Sequence, residues 1–229
     1  MDLQEAMEKR HSVRTYTAQK ITGDVKEKLQ QMLTQCNGES GLHMQLVLEE
    51  PKAFDSFMAH YGKFSGVQNY IAMVGPKGDK LEELCGYYGE KIVLYAQQLG
   101  LNTCWVGLTY SKVKGAFQIG AGEKLCCVIA LGYGSTQGSS HKSKSVEAVS
   151  QVEGAMPDWF RRGVEAALLA PTALNQQKFQ FSLSGNQVSA KAGRGFYCKV
   201  DLGIVKYHFE LGADENQFVL GVNDLDFST

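Results

Sequence analysis

The sequence predicts a mixed α/β chain in which helices alternate with strands and the whole falls into two halves of similar plan. Three observations lead there. The apolar positions Leu81, Leu84, Cys85, Tyr88, Ile92, Tyr95, Ala96 and Leu99 follow the 3.6-residue period of an amphipathic helix between Asp79 and Leu99, and Gly100 supplies its stop. Short runs rich in strand formers, at Leu42 to Leu48, Tyr70 to Val74, Cys127 to Leu131 and Phe179 to Leu183, separate the helical stretches. The order helix, turn, strand over Asp24 to Leu48 then recurs over Asp158 to Leu183.

The remaining elements follow from local signals. Asp2 caps a short helix with Leu3, Ala6 and Met7 on one face and Glu5 three positions after the cap, and it stops at Arg10. A second helix is predicted from Asp24 to Leu33, followed by a Gly/Asn/Ser turn. Gly75-Pro76-Lys77-Gly78 closes the Tyr70 strand. Inside the long helix, Gly86 and Gly89 each cost about 1 kcal/mol relative to alanine, so they are either merely tolerated or permit close approach by another helix or a ligand. Thr103 to Gly107, a short helix near Ser111 to Phe117, and Gly132-Tyr133-Gly134 after the Cys127 strand complete the first part.

Between Ser135 and Ser150 glycine, serine and lysine dominate, marking a connection. The boundary between halves is placed there, giving residues 1–150 and 151–229. Asp158 is read as capping a helix with Phe160, Val164, Ala167 and Leu168 on one face, and Pro171 forces its end. In the next strand Phe179, Phe181 and Leu183 alternate with polar residues, so one face is buried. Gly89 to Tyr95 also finds an echo in Gly203 to Phe209. The pattern alone leaves a duplicated domain open.

Composition excludes several classes. The 229 residues carry 23 Lys+Arg against 24 Asp+Glu, a net charge of −1, with no block of like charge. Non-specific attraction to nucleic acid or an anionic membrane is therefore disfavoured. Hydrophobic residues make up 44%, yet runs such as Cys126 to Leu131 fall far short of the roughly 20 residues of a membrane span. The acidic, periodic N-terminus is unlike a signal peptide, so a soluble cytoplasmic protein is expected. The six cysteines form no C-x-x-C pair and have no histidine at ligand spacing, so they read as free thiols of a reducing compartment and no metal is expected.

Two segments carry candidate chemistry. In Arg10-His11-Ser12-Val13-Arg14 an extended backbone puts Arg10, Ser12 and Arg14 on one side, an anion clamp of two bidentate guanidiniums and a short hydroxyl donor. Surface arginines tied to helix carboxylates remain the alternative. In Ala170-Pro171-Thr172-Ala173-Leu174-Asn175-Gln176-Gln177 the amides of Asn175 and Gln177 can donate and accept at once, as a heteroaromatic ring edge demands, although a helix-stop turn capped by Thr172 explains the same residues.

Together these segments resemble the FMN-dependent nitroreductase family. Arg10 to Tyr16 is similar to its R-x-S-x-R-x-[FY] phosphate motif and Ala170 to Gln177 to its A-P-S-x-x-N-x-Q motif, while Leu99 to Gly107 and Leu131 to Gly134 match two further segments. The resemblance implies a central, mostly antiparallel sheet flanked by helices. It also implies a hydride transfer from NADH or NADPH through FMN to a nitroaromatic, quinone or similar small-molecule acceptor. The order of motifs is unusual: where the A-P-S-x-x-N segment should follow the phosphate motif stands Cys36-Asn37-Gly38-Glu39-Ser40, and the intact version lies in the second half. The chain therefore resembles single-chain members whose two unequal halves mimic the family dimer, with one FMN site per chain in a monomer that is free to oligomerise further.

Carried over by position, Arg10, Ser12 and Arg14 would hold the phosphate and ribityl chain. Pro171, Thr172, Ala173, Asn175 and Gln177 would line the isoalloxazine. Gly107 and Leu108 match the segment whose backbone amide meets the flavin N5, and Lys142 and Lys144 resemble late basic residues that reach the phosphate. Thr172 replaces the usual serine, and Lys178-Phe179 replaces a common Pro-Trp. Because the flavin carries the chemistry, no side-chain acid or base is required, and His11 and His208 read as structural. A protein that binds flavin without turnover is the alternative, since the same motifs serve both.

Overall fold

A computed structural model of the chain describes residues 1–213 and 219–220. The chain divides into two compact units, the first formed by Met1–Leu81 and Lys91–Ser140, the second by Glu82–Glu90 and the chain from His141 onward.

In the first unit, α1 (Leu3–Lys9) begins as the sequence predicts, with the Asp2 carboxylate accepting the Glu5 N–H at 2.8 Å. Helix α2 (Gly23–Ser40) continues past the predicted turn and ends only where Gly41 enters the left-handed region at φ +69. Asn37 explains the extension. Its amide donates to the Met44 carbonyl and accepts the Met44 N–H, both at 2.9 Å, so an ordinarily poor helix former is satisfied from outside the helix. The sheet has the order β1 (Gln45–Val47), β2 (Asn69–Pro76), β4 (Glu123–Gly132), β3 (Asn102–Val106), every pair antiparallel. Strand β2 is buried from Asn69 through Gly75, matching its continuous apolar run. A bulge between Met73 and Val74 shifts its register on β4.

A five-residue helix, α3 (Phe57–Tyr61), interrupts the β1–β2 connection. No helix forms at Ser111 to Phe117: that stretch is a loop from which Val113, Ala116 and Phe117 reach the core around Phe54, Phe64 and Tyr70. Apolar residues at helical spacing there reflect a loop pressed onto a core.

In the second unit, α5 (Asp158–Ala167) starts with Pro157, not Asp158, at the cap position. The sheet runs β5 (Ser150–Val152), β6 (Phe179–Ser184), β7 (Gln187–Ala192), β8 (Val219–Leu220). Pairs β5–β6 and β7–β8 are parallel, each bridged by a helix, and β6–β7 is an antiparallel hairpin. Phe179, Phe181 and Leu183 are buried and alternate with less buried residues, as predicted. Phe181 stacks on Phe209 at a centroid distance of 4.5 Å. The expected mixed, largely antiparallel architecture is present, its strands distributed over two four-stranded sheets.

Helix α4 (Leu81–Gln98) contributes Glu82–Glu90 to the second unit, where it meets α6 (Cys198–Gly212) at very close range. A Cβ on Gly86 would lie 2.0 Å from the Val200 carbonyl oxygen and 3.0 Å from the Ile204 nitrogen. A Cβ on Gly203 would lie 2.0 Å from the Glu83 carbonyl oxygen and 2.6 Å from the Tyr87 nitrogen. The contact is reciprocal: Gly86 stands to Val200 and Ile204 as Gly203 stands to Glu83 and Tyr87. The close approach thus falls at Gly86, three residues before the Gly89 that the sequence echo sets beside Gly203. The order helix, strand, strand, helix, strand likewise occurs twice, as α2-β1-β2-α4-β3 and α5-β6-β7-α6-β8, with α3 inserted in the first.

Polar pairs flank the glycines. Lys206 Nζ lies 2.5 Å from Glu83, Tyr87 donates to Glu210, and His208 Nε2 lies 3.0 Å from Glu90, both residues of that last pair being fully buried. The other imidazole nitrogen, 3.1 Å from the Ala166 carbonyl, must carry a proton because a carbonyl only accepts, so His208 ties α4, α5 and α6 together.

Gly203→Ala is expected to destabilise the protein toward the upper end of the roughly 1–3 kcal/mol typical of an overpacked core, because the obstruction is helix backbone. Urea unfolding measures this, and an unchanged midpoint would show that the two helices can separate without loss.

Candidate functional site

The residues singled out from the sequence gather into two groups, one in each unit. The first begins where α1 stops. Arg10 donates its N–H to the Ala6 carbonyl at 2.9 Å and turns into extended conformation with ψ 115. From there the chain is held on several sides. Val13 N–H donates to the Thr103 carbonyl at 3.0 Å, Ser65 N–H to the Arg14 carbonyl and Tyr16 N–H to the Ser65 carbonyl, both at 3.0 Å, and Thr17 N–H to the Tyr133 carbonyl at 2.8 Å.

The clamp residues all bear on the Cys104 thiol of β3. Burial pushes the Cys104 thiol up, while the Arg14 guanidinium, a hydrogen bond from Ser12 and the Arg10 guanidinium each pull it back. Three side chains at alternate positions thus act on one sulfur, the arrangement expected of an extended segment. Arg10 is only 3% exposed, whereas Arg14 is exposed. One guanidinium of the segment is thus buried and the other is at the surface.

Sequence reasoning did not find the residues that shape this group. Asn102 donates to Gln137 Oε1 and accepts the Gly134 N–H, each at 3.0 Å, bringing 134–137 back to β3. Gly138, at φ +72, lies where a Cβ would be 2.8 Å from the His11 Cβ. The signal available was the Gly132-Tyr133-Gly134 segment, which names the loop but not its contacts. Gly107 and Leu108 directly follow β3, and Leu108 is 61% exposed.

The second group is a turn under backbone strain. Leu174, Asn175 and Gln177 have φ of 53, 52 and 45. Left-handed conformations in non-glycine residues persist only when their surroundings impose them. Thr172 contributes two of the restraints, its carbonyl accepting the Asn175 N–H at 3.0 Å and its Oγ1 the Gln177 N–H at 3.1 Å. Pro171 is buried at the end of the α5 connection, and the side chain of Leu174 is 93% exposed.

Gln177 is 2% exposed and its amide is engaged by the protein. Its Nε2 donates to the Lys142 carbonyl at 2.8 Å and to Asn175 Oδ1 at 2.7 Å, and its Oε1 accepts the Lys144 N–H at 2.8 Å. Asn175, exposed, donates to the Lys142 carbonyl at 2.9 Å. Lys144 Nζ donates to the Gln177 carbonyl at 2.8 Å, while Lys142 is exposed and contributes its carbonyl to the turn. His141 and Ser143 donate to the Leu168 carbonyl beyond α5, at 3.0 and 3.1 Å. The Gly/Ser-rich connection is therefore tied down where the two lysines lie.

The remaining restraint is Asp201 on α6, which the sequence reading missed. This carboxylate accepts from Ala173 N–H at 2.9 Å and from Gln176 Nε2 at 2.8 Å, and burial pushes it up to about 6 against the effect of those two bonds. Nothing in the local sequence links residue 201 to a turn so distant along the chain. Among the described residues no group of three or more His, Cys, Asp and Glu could hold a metal ion, and no helix is long and apolar enough to cross a membrane.

The family comparison puts the chain among oxidoreductases of nitroreductase type. The sequence matches the family described as "Putative TM nitroreductase" over residues 2–213, and the chain belongs to that family. It is similar to the crystal structure of a nitroreductase, so described with the qualifier "putative", from Thermotoga maritima MSB8: 25% identity, TM-score 0.66, covering 93% of this chain and 83% of that one. Lesser overlaps occur with a nitroreductase in complex with FMN from Desulfovibrio desulfuricans (15% identity, TM-score 0.49, 69% and 99% covered) and with an FMN-dependent nitroreductase from Clostridium difficile R20291 (19%, 0.46, 60% and 90%). No curated protein sequence matches the chain.

Leu174→Gly tests the strain. Relief of a left-handed leucine returns about 1–2 kcal/mol, of which glycine's freedom in the unfolded chain removes roughly 0.4–1 kcal/mol. A net gain of between about 0 and about 1.6 kcal/mol in chemical denaturation is expected. A loss would contradict the strained geometry, because so exposed a side chain has little packing to forfeit.

Proposed function

We propose that the protein binds one FMN per chain and passes two electrons from NADH or NADPH to a small-molecule acceptor such as a nitroaromatic or a quinone. The observation that carries this reading is the strained turn. Three left-handed residues are held in place to present an exposed Asn175 amide. Strain of this kind is retained where binding needs it.

The residues fit the cofactor. Arg10, Ser12 and Arg14 all act on the Cys104 thiol, so two charges and a hydroxyl would be available in one neighbourhood, as a phosphate monoester requires. Asn175 uses one N–H on Lys142 and one lone pair on Gln177, which leaves a second donor and a second acceptor for the pyrimidine edge of a flavin. Gly107 and Leu108 would offer backbone amides beside the flavin N5. Pro171, Thr172 and Ala173 would support the ring, Gln177 and Lys144 would fix the turn from behind, and Lys142 would add charge toward the phosphate.

Bound FMN supplies the two-electron chemistry between nicotinamide and acceptor. The chain's own contribution is to bind, orient and neutralise: fixed guanidiniums offset the phosphate charge, and the Asn175 amide holds one edge of the ring. No side chain is assigned as a catalytic acid or base.

We read the chain as two nitroreductase-like halves, residues 1–150 and 151–229, in a monomer that assembles its site within one chain. The repeated element order and the reciprocal Gly86–Gly203 contact support this reading. Where the first half would carry its own ring-binding turn, Cys36 to Ser40 are helical and the Asn37 amide is locked onto Met44, which favours a single site. The six free cysteines fit a reducing cytoplasm.

Anaerobic titration tests the proposal. Flavin absorbance is expected to saturate at one FMN per chain, to bleach with NADH or NADPH, and to recover with a quinone. Two FMN per chain, or none, would overturn it, and bound flavin that stays oxidised would indicate a binding protein instead. Arg14→Ala is expected to weaken FMN binding by roughly 1.5–3 kcal/mol, the worth of a hydrogen bond to a charged group. An unchanged Kd would remove the clamp from the site.

A further inference from the structure

We propose that Asp201 is a positioning residue for the flavin-contacting turn, a carboxylate clamp that grips Ala173 and Gln176 on either side of Leu174 and Asn175 and so makes cofactor affinity depend on its ionisation. The proposal rests on the FMN reading above for its functional consequence, but the clamp itself stands on geometry within one unit.

The carboxylate is 2% exposed. Its Oδ1 accepts the Ala173 N–H at 2.9 Å and its Oδ2 accepts from Gln176 Nε2 at 2.8 Å. Between those attachment points lie two of the three left-handed residues, Leu174 at φ 53 and Asn175 at φ 52. Each strained residue would relax toward an ordinary conformation if its neighbours were free to move, and the two bonds to one rigid carboxylate fix the ends of the strained stretch. The same Gln176 nitrogen also donates to the Phe196 carbonyl at 2.7 Å, so both of its hydrogens are committed and the amide cannot invert without losing that bond. Asp201 is anchored in turn through its N–H to the Tyr197 carbonyl at 2.9 Å, in the first turn of α6.

The clamp needs the anion. Both partners are donors, and a protonated carboxyl places a third donor among them, so at least one of the two bonds is weakened. Burial pushes the group up to about 6, with the bonds from Ala173 and Gln176 opposing that rise. Cys198 lies on the same helix, its thiol pushed up by burial and by Asp201, and Lys178 at the head of β6 bears on Cys198 in the opposite sense. The carboxylate that positions the turn is therefore formed as pH rises through about 6. The sign for folding is the reverse. A carboxyl raised above its ordinary value favours the protonated folded chain, so this group's contribution to stability declines between about pH 4 and about pH 6. The ionised state that suits the turn is the one the fold favours less.

The test compares wild type with Asp201→Asn, which keeps the shape and one acceptor but cannot ionise. FMN Kd values are measured from pH 5 to pH 8. At pH 7.5 the variant is expected to bind roughly 10-fold or more weakly, as for loss of a charged hydrogen bond, and the two proteins are expected to converge toward pH 5. The cofactor's own phosphate ionisation, near 6, is common to both and cancels in the ratio. A ratio that stays constant with pH, or equals one throughout, overturns the proposal while leaving the cofactor reading intact. Gln176→Ala removes one of the two bonds that hold the Asp201 carboxyl down, so it is expected to weaken binding and to move the pH dependence upward, and a dependence left at its wild-type position would count against Asp201.

Amide hydrogen exchange without FMN supplies an independent readout. After correction for intrinsic rates, the Ala173 amide of wild type is expected to lose protection as pH falls from 7.5 to 5, and in the asparagine variant protection should be flat. Constant wild-type protection would refute the clamp. This measurement decides the matter even if the variant fails to fold, and if wild type binds no FMN at any pH it is the functional reading, not the clamp, that falls.

Discussion

The backbone contact between α4 and α6 is the constraint from which the second unit is built. With a would-be Cβ only 2.0 Å from a carbonyl oxygen at both Gly86 and Gly203, the helices meet at a distance that no other residue permits. That approach seats Lys206 on Glu83 and His208 on Glu90, both pairs requiring helices in register. On its other side α6 packs on α5, where Gly163 faces the Phe209 ring and Gly212 faces Ala166. Asp201 sits two residues before Gly203 on the same helix. Displacing α6 would thus move the carboxylate away from Ala173 and Gln176, and the geometry of the turn depends on glycines that never touch it.

The turn illustrates how local strain and buried polarity offset one another. Left-handed Leu174, Asn175 and Gln177 are unfavourable taken singly, and a carboxylate at 2% exposure is unfavourable as well. Joined, they satisfy one another: the carboxylate finds two donors, and the turn finds fixed ends. Gln177 does similar work from the opposite side, fastening the 142–144 segment to the turn through both ends of its amide. Asp201 thus holds the residues on either side of exposed Asn175, and Gln177 holds Asn175 itself. In the first unit buried Arg10 and exposed Arg14 divide the labour in the same way around Cys104.

Much of this was legible in the sequence, and what was not has physical reasons. The extended Arg10–Arg14 segment was readable because alternation at every second residue has one structural meaning, and the Ala170–Gln177 stretch because Pro171 ends a helix regardless of context. The extent of α2 was not readable, since Asn37 is helical only by virtue of the Met44 backbone beside it. The apolar spacing at Val113, Ala116 and Phe117 imitates a helix because a loop over a core also needs apolar residues at intervals. The echo of Gly89 in Gly203 did not locate the helix contact, for Gly86 and Gly89 lie on neighbouring turns of one helix face and only packing selects Gly86. Asp201 was invisible because its partners belong to a segment separated from it by the whole β6–β7 hairpin.

The central proposal is that one chain holds one cofactor with residues from both halves. A crystal structure of the FMN-loaded protein tests it most directly. It is expected to place the phosphate on Arg10, Ser12 and Arg14 and the ring edge on Asn175 of the same chain. A flavin whose ring meets Asn175 of one copy while its phosphate meets Arg14 of another, or one bound away from both groups, would contradict the account.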